Sequence, residues 1–493
     1  MEAPGPTPRL SMRLRDIVQQ LDPHDVVGDL ARDVRAVHHD SRAVGPDDVF
    51  VAIPGSHLDG RRFVPGLRCA AVIAQGPVEA EPGVTIVTVP DARVALASTA
   101  AALHGHPATA LPVIGLTGTN GKTTTAWMLE SISKAAGWKA CIIGTTGHRI
   151  AGRAVPATHT TPEAPVLQSL IAAARDAGCR LVAMEVSSIG LHLRRADAIP
   201  FRVAGFTSFS QDHLDHHGTM AAYLSAKLRL FTELLAPDGV AVLHDSLPAA
   251  ARDVDLRGRE RLLVGTSPTA DLRLLEAVHD LDGVFARFSW HGAEHRLRLP
   301  LVGAHNLDNA LVALGCALSA GVPLDTALAG LWRLPPVPGR LEPVRAGQPF
   351  HVFVDYAHTP DALTQVLATL RPLTDGRLTV VFGCGGDRDR GKRPLMGRAA
   401  EAGADRVVLT SDNPRSEDPE GILQQIRAGM DGPALVEVDR RMAVKRALAG
   451  ARSGDVVLIA GKGHETTQTI GGEARPFHDP TVAAEILTAQ EHG

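Results

Sequence analysis

The stretch Gly115-Leu-Thr-Gly-Thr-Asn-Gly-Lys-Thr-Thr-Thr125 decides the fold class expected for the whole chain. It follows an apolar run, Leu111–Leu116, and precedes a helical pattern from Thr123 to Ala136, so it lies at a strand-to-helix turn. Glycines let the backbone N–H groups of such a turn face phosphate oxygens, and the helix presents its positive end to the same charge. The stretch therefore predicts a phosphate-binding loop.

Two residues of this loop carry specific expectations. Lys122 is expected to reach the β- and γ-phosphates, and Thr123 to supply a hydroxyl to Mg²⁺. The loop is not a standard Walker A motif, because Leu116 stands five residues before Gly121, where that motif has glycine. A glycine-rich turn without a ligand is the alternative, and the flanking strand and helix argue against it. The loop alone indicates a nucleoside triphosphate and leaves the reaction open.

Apolar runs alternate with helical patterns along most of the chain, which predicts an α/β protein. The proline-rich segment Leu334–Arg340 interrupts this alternation and predicts a stiff interdomain connector. Beyond it the alternation restarts and predicts a second doubly wound sheet. For 493 residues we expect three domains, at 1–110, 111–337 and 338–493. The expected strands are Asp48–Ile53, Ala70–Ala74, Leu111–Leu116, Leu181–Met184, Val203–Phe206, Val240–Leu243, Val352–Val354, Leu378–Phe382, Arg406–Leu409 and Val456–Ala460. The expected helices besides Thr123–Ala136 are Asp361–Leu370 and one around Met396–Ala402.

The composition is that of a globular enzyme, with 44% hydrophobic and 21% charged residues and a formal net charge of −4. Lysine and arginine are scattered, so no basic tract indicates a nucleic-acid or membrane partner. The five cysteines lie far apart without C-x-x-C spacing, which argues against a disulfide framework or a zinc site and favours a reducing compartment. Residues 1–10 lack the apolar run of a signal peptide, and no segment has ~18 uninterrupted apolar residues. We therefore expect a cytoplasmic protein without a membrane span.

Acidic and histidine residues follow two of the expected strands. Glu185 ends the strand Leu181–Met184, where P-loop folds commonly deliver an acidic group to Mg²⁺. The later segment Ser210-Gln-Asp-His-Leu-Asp-His-His-Gly218 is dense in groups that suit a metal or a substrate oxygen. Within it, His213 is the candidate ligand because it follows another expected strand.

The neighbouring histidines and a helical lysine have more ordinary interpretations. His216 and His217 are interpreted as structural or surface residues. Tyr223 and Lys227 are four residues apart and share one helix face. From periodicity alone, Lys227 would be interpreted as a solvated helix lysine.

Taken together, these segments resemble the Mur ligase family over nearly the whole chain. The family's motifs match Gly115–Thr124, Met184–Ser188, Asp212–Gly218, Tyr223 with Lys227, Gly303–Asn309, Pro338–Glu342 and Asp355–Asp361. Within the family, the chain is similar to the members that add diaminopimelate. The segments that carry this closer similarity are Asp40–Arg42, Val49–Ala52 and Asp59–Arg62 for a UDP-binding domain, Thr160–Pro162 for the muramoyl-dipeptide loop, and Gly383–Asp389, Asp412–Arg415 and Gly461–Glu465 for the amino-acid site.

The resemblance implies a fold and an activity. The fold is a small N-terminal α/β UDP-binding domain, a central P-loop ATPase-type parallel-sheet domain and a C-terminal Rossmann-like domain. The activity is the ATP-dependent addition of meso-2,6-diaminopimelate to UDP-N-acetylmuramoyl-L-alanyl-D-glutamate through an acyl phosphate, in peptidoglycan precursor synthesis. The implied enzyme is a monomer whose substrates are ATP, the UDP-muramoyl dipeptide and diaminopimelate, with two Mg²⁺ ions and no nucleic acid.

The resemblance also implies roles for individual residues, and closure of two domains around ATP and substrate before chemistry, with Arg340 reaching phosphate from the mobile domain. The implied ATP ligands are Gly118, Thr119, Asn120, Gly121, Lys122, Thr123, Thr124, Asn306, Arg340, Asp355 and Tyr356. The implied metal ligands are Thr123, Glu185, His213 and Lys227, the last one carbamylated. The implied catalytic residues are Lys122, Glu185, His213, Lys227 and His358, of which His358 assists deprotonation of the amine. The implied UDP-muramoyl dipeptide ligands are Ser41, Thr160, Thr161, Ser187 and Arg195. The implied diaminopimelate ligands are Arg388, Asp412, Asn413, Arg415, Gly461 and Glu465.

The choice of diaminopimelate over lysine rests on the Asp412-Asn-Pro-Arg415 segment. Diaminopimelate carries a distal carboxylate that lysine lacks, and a guanidinium group binds a carboxylate through two parallel hydrogen bonds.

The chain differs from the residues common in the family at Ile189, Leu193, Ser208 and Gln211. These differences affect the expected contacts with the muramoyl substrate. The alternatives are the same reaction with L-lysine, a folylpolyglutamate-synthetase-like ligase without the N-terminal UDP domain, a P-loop hydrolase or switch, and a catalytically silent binding protein.

Overall fold

The computed structural model describes residues 11–55, 58–157 and 159–491, so the expectation for residues 1–10 lies outside the described part of the chain. The chain forms two compact units. The first contains the described residues up to 274 together with 289–293 and 308–330, and the second contains 275–288, 294–307 and 331 onward. Within the described residues, no helix is long and apolar enough to cross a membrane.

A five-stranded sheet opens the first unit. Its strands follow in the order Asp25–Val27, Thr85–Thr88, Ala71–Ala74, Asp48–Ala52 and Ala36–His38. The first pair is antiparallel and the others are parallel. Apolar side chains are buried on both faces of this sheet. The strand predictions Asp48–Ile53 and Ala70–Ala74 are therefore confirmed to within one residue.

The central sheet of the first unit carries the phosphate-loop strand. Neighbouring strands follow in the order Arg153–Val155, His148–Ile150, Ala140–Ile143, Leu181–Glu185, Val113–Thr117, Phe201–Phe206, Leu235–His244, Glu260–Gly265 and Leu272–Asp280. Pairing is parallel from Ala140–Ile143 onward. Parallel strands place their carboxyl ends at one edge, so the residues that follow Val113–Thr117 and Leu181–Glu185 meet there.

The second unit contains a six-stranded sheet. Its order is Glu342–Pro343, His351–Asp355, Val456–Ala460, Leu378–Phe382, Arg406–Leu409 and Leu435–Val436, and the pairing is parallel except for the first pair. Apolar clusters cover both faces of the sheet, which is the arrangement of a doubly wound α/β fold. The prediction of a second such sheet is confirmed, with three of its strands matched at both ends.

Helices connect the parallel strands in both units. The longer ones are Ala92–Leu103, Lys122–Ala135, Ala164–Asp176, Met220–Arg229, Ala304–Ser319, Leu324–Trp332, Pro360–Leu370, Lys392–Gly403, Pro419–Arg427, Arg440–Ala449 and Asp479–Glu491. Short helices and turns are Leu14–Val18, Ser41–Ala43, Gly60–Phe63, Pro107–Thr109, Ser188–His192, Leu214–His217, Leu230–Leu234, Ala249–Arg252 and Arg371–Leu373. The remaining strands are Met12–Arg13, Asp33–Val34, Gly283–Trp290, Ala293–Leu299, Thr467–Ile470 and Glu473–Pro476. The three helix predictions agree with these bounds to within a few residues.

One expected strand is considerably longer than predicted. The prediction Val240–Leu243 covers less than half of the observed strand Leu235–His244. The missed part contains Ala-Pro-Asp-Gly, a composition typical of turns. The structure has a register shift in the pairing with the neighbouring strand at this point, which accommodates the turn-like residues.

Candidate active site

The glycine-rich loop connects a fully buried strand to a 14-residue helix, as the sequence predicts. Gly118 and Gly121 have φ values of +151° and +89°, which favour glycine. A Cβ atom at either position would lie 2.0 Å from a neighbouring side-chain oxygen, Oγ1 of Thr207 or Oδ1 of Asn309. Both glycines are thus required by conformation and by space, and the backbone N–H groups of the loop remain close to the helix N-terminus.

The side chain of Lys122 folds against the glycine-rich loop and donates hydrogen bonds to it. Lys122 Nζ donates to the carbonyl oxygens of Gly118 at 2.7 Å and Thr119 at 2.9 Å. The Thr119 hydroxyl lies 3.1 Å from the hydroxyl of Tyr223, a contact that joins the loop to the helix Met220–Arg229. The ammonium group therefore lies at the mouth of the predicted phosphate loop.

Glu185 is the last residue of its strand and the centre of a buried hydrogen-bond cluster. Its Oε2 accepts from the hydroxyls of Thr123 and Thr145, each at 3.0 Å, and its Oε1 accepts from the Thr145 backbone N–H at 3.0 Å. The residue is 1% exposed. Two of the predicted metal ligands, Thr123 and Glu185, are thus in direct contact. Their buried carboxylate and hydroxyl oxygens are the hard donors that Mg²⁺ prefers, so this pair fits the ion.

Thr145 was missed by the sequence analysis. It closely follows the strand Ala140–Ile143, which pairs in parallel with the strand that ends at Glu185. The carboxyl ends of two adjacent parallel strands lie side by side, and this topology would have pointed to Thr145 if the strand order had been known.

Lys227 is buried, and the interpretation of a solvated lysine is wrong. Its side chain is 1% exposed, its Nζ donates to the Gly118 carbonyl at 2.9 Å, and it lies 4.4 Å from the centroid of the Tyr223 ring. Burial lowers the pKa of the Lys227 ammonium well below its usual value, and the charge of Lys122 lowers it further. This shift raises the fraction of Lys227 in the neutral amine form, which is the form that can react with carbon dioxide to give a carbamate.

His213 lies close to this cluster but does not join it through a hydrogen bond. It has a φ of +51° and caps the short helix Leu214–His217. Its ring makes an edge contact with Tyr223, with centroids 6.0 Å apart, and its Nε2 is 3.5 Å from Asp212 Oδ2. Among the described residues, His213 has no hydrogen bond to the other three predicted metal ligands.

Four of the five predicted dipeptide ligands lie together beside Glu185. The Thr161 hydroxyl bonds to Ser187 through its backbone N–H at 2.9 Å and its hydroxyl at 3.1 Å. Arg195 donates to the Thr161 carbonyl at 3.0 Å. Thr160 lies 2.9 Å from the Thr145 hydroxyl. Ser41 is instead on a turn next to the five-stranded sheet and, within the described residues, makes no hydrogen bond to the other four.

Asp355, a predicted nucleotide ligand of the second unit, is a half-buried carboxylate at the end of a strand. Asp355 accepts from the backbone N–H groups of Leu341 at 2.8 Å and Ala357 at 2.9 Å. Burial raises the pKa of Asp355, and the charge of Arg340 opposes this shift. The Arg340 guanidinium lies 5.6 Å from the centroid of the Tyr356 ring. Asp355 thereby fixes the backbone of the connector that carries Arg340.

Two further predicted residues of this unit have different settings. His358 is exposed, and its Nδ1 lies 2.9 Å from the Tyr356 carbonyl. Asn306 is buried, and its amide donates to the Val302 carbonyl at 2.9 Å.

A buried lysine organises the predicted amino-acid site. Lys462 Nζ donates to Asn413 Oδ1 at 3.1 Å, Glu465 Oε2 at 3.0 Å and the Thr467 carbonyl at 2.7 Å. The Asn413 amide also donates to Glu465 Oε2 at 2.7 Å. The predicted ligands Asn413 and Glu465 are therefore in contact. Lys462 was missed, although it lies inside the motif Gly461–Glu465, because a lysine is ordinarily a surface residue.

The two arginines predicted to bind diaminopimelate, Arg388 and Arg415, lie on two loops of the second unit. Arg415 has a φ of +54° and donates from Nη1 to the Gly386 carbonyl at 2.7 Å. Arg388 is an exposed residue of the segment Gly383–Asp389, which also contains Gly386. Gly461 has a φ of +109°, and a Cβ there would lie 2.7 Å from Asp412 Oδ2. Burial raises the pKa of Asp412.

The fold and this site define a P-loop α/β protein with a second, Rossmann-like sheet. Two family models match: the Mur ligase middle domain over residues 116–317, and the Mur ligase, glutamate ligase domain over residues 339–463. The chain belongs to the Mur ligase family.

Individual relatives are similar over nearly their whole length. The UDP-N-acetylmuramoyl-L-alanyl-D-glutamate–2,6-diaminopimelate ligase of Geobacter sulfurreducens is 39% identical, covering 98% of this chain and 100% of the relative. The protein of the same name from Solibacter usitatus is 41% identical, covering 97% of this chain and 98% of the relative. A solved structure of a ligase of this name is 32% identical with a TM-score of 0.74, covering 98% of this chain and 100% of that one.

Proposed function

We propose that the chain is an ATP-dependent ligase that adds meso-2,6-diaminopimelate to UDP-N-acetylmuramoyl-L-alanyl-D-glutamate in peptidoglycan precursor synthesis. The observation that carries the proposal is the buried contact between Thr123 and Glu185 at the phosphate loop, next to which Lys227 is buried. The names of relatives at 39% and 41% identity support the choice of substrates. The proposal includes three domains at 1–110, 111–337 and 338–493, a monomer and a cytoplasmic location.

The reaction couples ATP cleavage to amide formation in two steps. The free carboxylate of the glutamyl residue attacks the γ-phosphorus of ATP, which forms an acyl phosphate and releases ADP. The amine of diaminopimelate then attacks the activated carbonyl, loses a proton and expels inorganic phosphate. Phosphorylation is needed because an unmodified carboxylate would have to expel oxide.

The residues of the first unit stabilise charge in the first step. Lys122 neutralises charge on the β- and γ-phosphates, and the loop backbone and helix N-terminus contribute N–H donors. Thr123 and Glu185 would hold one Mg²⁺, and Glu185, His213 and carbamylated Lys227 would hold a second; the bound ions would neutralise phosphoryl charge. Thr160, Thr161, Ser187 and Arg195 orient the dipeptide, and Ser41 contacts the UDP moiety. Gly118, Thr119, Asn120, Gly121 and Thr124 complete the nucleotide ligands of this unit.

The residues of the second unit bind the nucleotide and the amine. Asn306, Arg340, Asp355 and Tyr356 are the proposed nucleotide ligands, and exposed His358 accepts the proton of the attacking amine.

A separate group of residues recognises diaminopimelate. Arg388 and Arg415 bind its distal carboxylate, since a guanidinium donates two parallel hydrogen bonds. Asn413 and Glu465 bind its distal ammonium, and Lys462 holds these two residues in place. Asp412 and Gly461 are further proposed diaminopimelate ligands.

The test is phosphate release from ATP with the UDP-muramoyl dipeptide and a panel of amino acids. We expect release to require both acceptor and amine and to be much faster with diaminopimelate than with lysine. Equal rates with lysine would favour the lysine-adding alternative, and ATP turnover independent of any amino acid would favour a hydrolase or switch. A folylpolyglutamate-synthetase-like ligase would accept folate and glutamate instead.

A second measurement tests the acyl phosphate itself. The glutamyl carboxylate is labelled with a heavy oxygen isotope, and the released phosphate is analysed by mass. One labelled oxygen should move into each phosphate, because the carboxylate oxygen that attacks phosphorus leaves with it. Unlabelled phosphate would contradict the mechanism.

A further inference from the structure

Three histidines that the proposed reaction does not use form a cluster in the first unit. His192, His216 and His217 each offer a ring nitrogen, and these three atoms all lie within 4.8 Å of one another. The ring centroids are 5.1 Å apart for His192 and His216, 5.9 Å for His192 and His217, and 4.8 Å for His216 and His217. The fold thus brings together residues from two short helices.

The position of the cluster follows from the two chain segments that carry it. His192 is the last residue of the helix Ser188–His192, and the other two end the helix Leu214–His217. A hydrogen bond also holds the His217 ring, because its Nε2 lies 3.0 Å from the hydroxyl of Ser188, which is buried. If that contact is kept, the other nitrogen of this ring, Nδ1, remains for a ligand.

We propose that His192, His216 and His217 form a binding site for a late first-row divalent cation such as Zn²⁺. Imidazole nitrogen is a preferred ligand of these ions, whereas Mg²⁺ prefers oxygen. The site is therefore chemically distinct from the magnesium site at Thr123 and Glu185, with which it shares no residue. The expectation that His216 and His217 are merely structural or surface residues is the alternative to be tested.

The geometry requires only small side-chain movements. Zinc–nitrogen distances of about 2.0–2.1 Å in a tetrahedron place the nitrogens about 3.4 Å apart. The nitrogens are within 4.8 Å, so each separation must shorten by at most about 1.4 Å, and His192 and His216 are exposed and can rotate. Three protein ligands leave a fourth position for water. The hydrogen bond from His217 to Ser188 would fix the tautomer and orientation of that ring, as outer-shell partners do in metal sites.

Two guanidinium groups lie near the cluster, those of Arg229 and Arg93. Arg229 donates to the Leu191 carbonyl and is paired with Asp197 at 3.2 Å and Glu233 at 2.7 Å, so two carboxylates offset its charge. Arg93 donates to the Leu193 carbonyl at 3.3 Å and is attracted by Glu163 and Asp91, so carboxylates also reduce its repulsion of a bound cation.

The experiment measures Zn²⁺ binding to the full-length protein by isothermal titration calorimetry, after treatment with EDTA and in excess Mg²⁺. The wild-type protein should bind Zn²⁺ at this site, and the double variant H192A/H216A should bind about 100-fold more weakly or not at all. The matched control is H24A, which removes an exposed histidine elsewhere. Substitution with Co²⁺ should give visible absorption typical of nitrogen ligation in the wild type and H24A, and lose it in the double variant.

Folding controls and single variants separate a loss of Zn²⁺ binding from a loss of structure. Both replaced histidines are exposed, so circular dichroism and thermal unfolding in EDTA should match the wild type. If the double variant did not fold, the single variants H192Q and H216Q should each weaken binding about tenfold. Failure of the wild type to bind Zn²⁺, or equal binding by wild type and histidine variants, would overturn the proposal. Neither outcome would affect the ligase assignment, since the readout does not involve catalysis.

Discussion

Replacing Arg415 by alanine should reduce the preference for diaminopimelate over lysine. The guanidinium is held by one hydrogen bond, from Nη1 to the Gly386 carbonyl at 2.7 Å, and its remaining N–H groups are proposed to bind the distal carboxylate. Hydrogen bonds between charged groups contribute about 1.5–3 kcal/mol, which corresponds to about 10- to 150-fold in kcat/KM. We expect kcat/KM for diaminopimelate to fall by this factor and that for lysine to change little, because lysine lacks the carboxylate.

Alanine is the informative replacement because Arg415 has a φ of +54°. Glycine would also relieve the backbone strain at this position, whereas alanine keeps a Cβ and isolates the loss of the guanidinium. The control is Arg441→Ala, which removes an exposed guanidinium that pairs with Glu485 at 2.8 Å and should leave both values unchanged. The assay is steady-state phosphate release with each amino acid. An unchanged ratio of the two kcat/KM values in Arg415→Ala would refute this role.

Two further substitutions test the buried lysines. Lys227→Ala should lower kcat at least about 100-fold without rescue by bicarbonate, because the carbamate is lost. The control Lys139→Ala, which replaces an exposed lysine, should behave as wild type. Normal turnover in Lys227→Ala would remove this residue from the mechanism. Lys462→Met should lower the free energy of unfolding in urea by about 3 kcal/mol, because Asn413 and Glu465 lose the donor that Lys462 supplies. For the same reason it should raise KM for diaminopimelate but not for ATP. A loss of stability without this difference between the two KM values would limit Lys462 to a structural role.

The strand pattern was largely predictable because each buried strand is a short apolar run bounded by polar turns. Leu378–Phe382, Arg406–Leu409 and Val456–Ala460 match the prediction at both ends for this reason. Leu235–His244 did not, because its turn-like residues are accommodated by a register shift that depends on the neighbouring strand. Local sequence defines the runs, and strand pairing defines where they end.

The candidate site was predictable where a motif lies directly at the end of a strand. Glu185 ends one strand and Thr123 follows the adjacent parallel strand, and the contact between them results from that topology. Thr145 was missed because its contact with Glu185 depends on the strand order, and Lys462 because lysine is ordinarily exposed and its contact with Asn413 is distant in the chain. His192 likewise meets His216 only because two helices fold together.

The burial of Lys227 has a physical consequence for the proposed chemistry. A buried ammonium is costly unless it is paired with an anion, and here it donates to a neutral carbonyl, that of Gly118. The cation of Lys122 adds repulsion, which together with burial lowers the pKa of Lys227. Carbamylation converts the side chain into an anion, so the interaction with Lys122 changes from repulsion to attraction, and the same anion can bind a divalent cation. Burial and the charge of Lys122 thus favour the neutral amine that reacts with carbon dioxide, and attraction to Lys122 favours the carbamate that results.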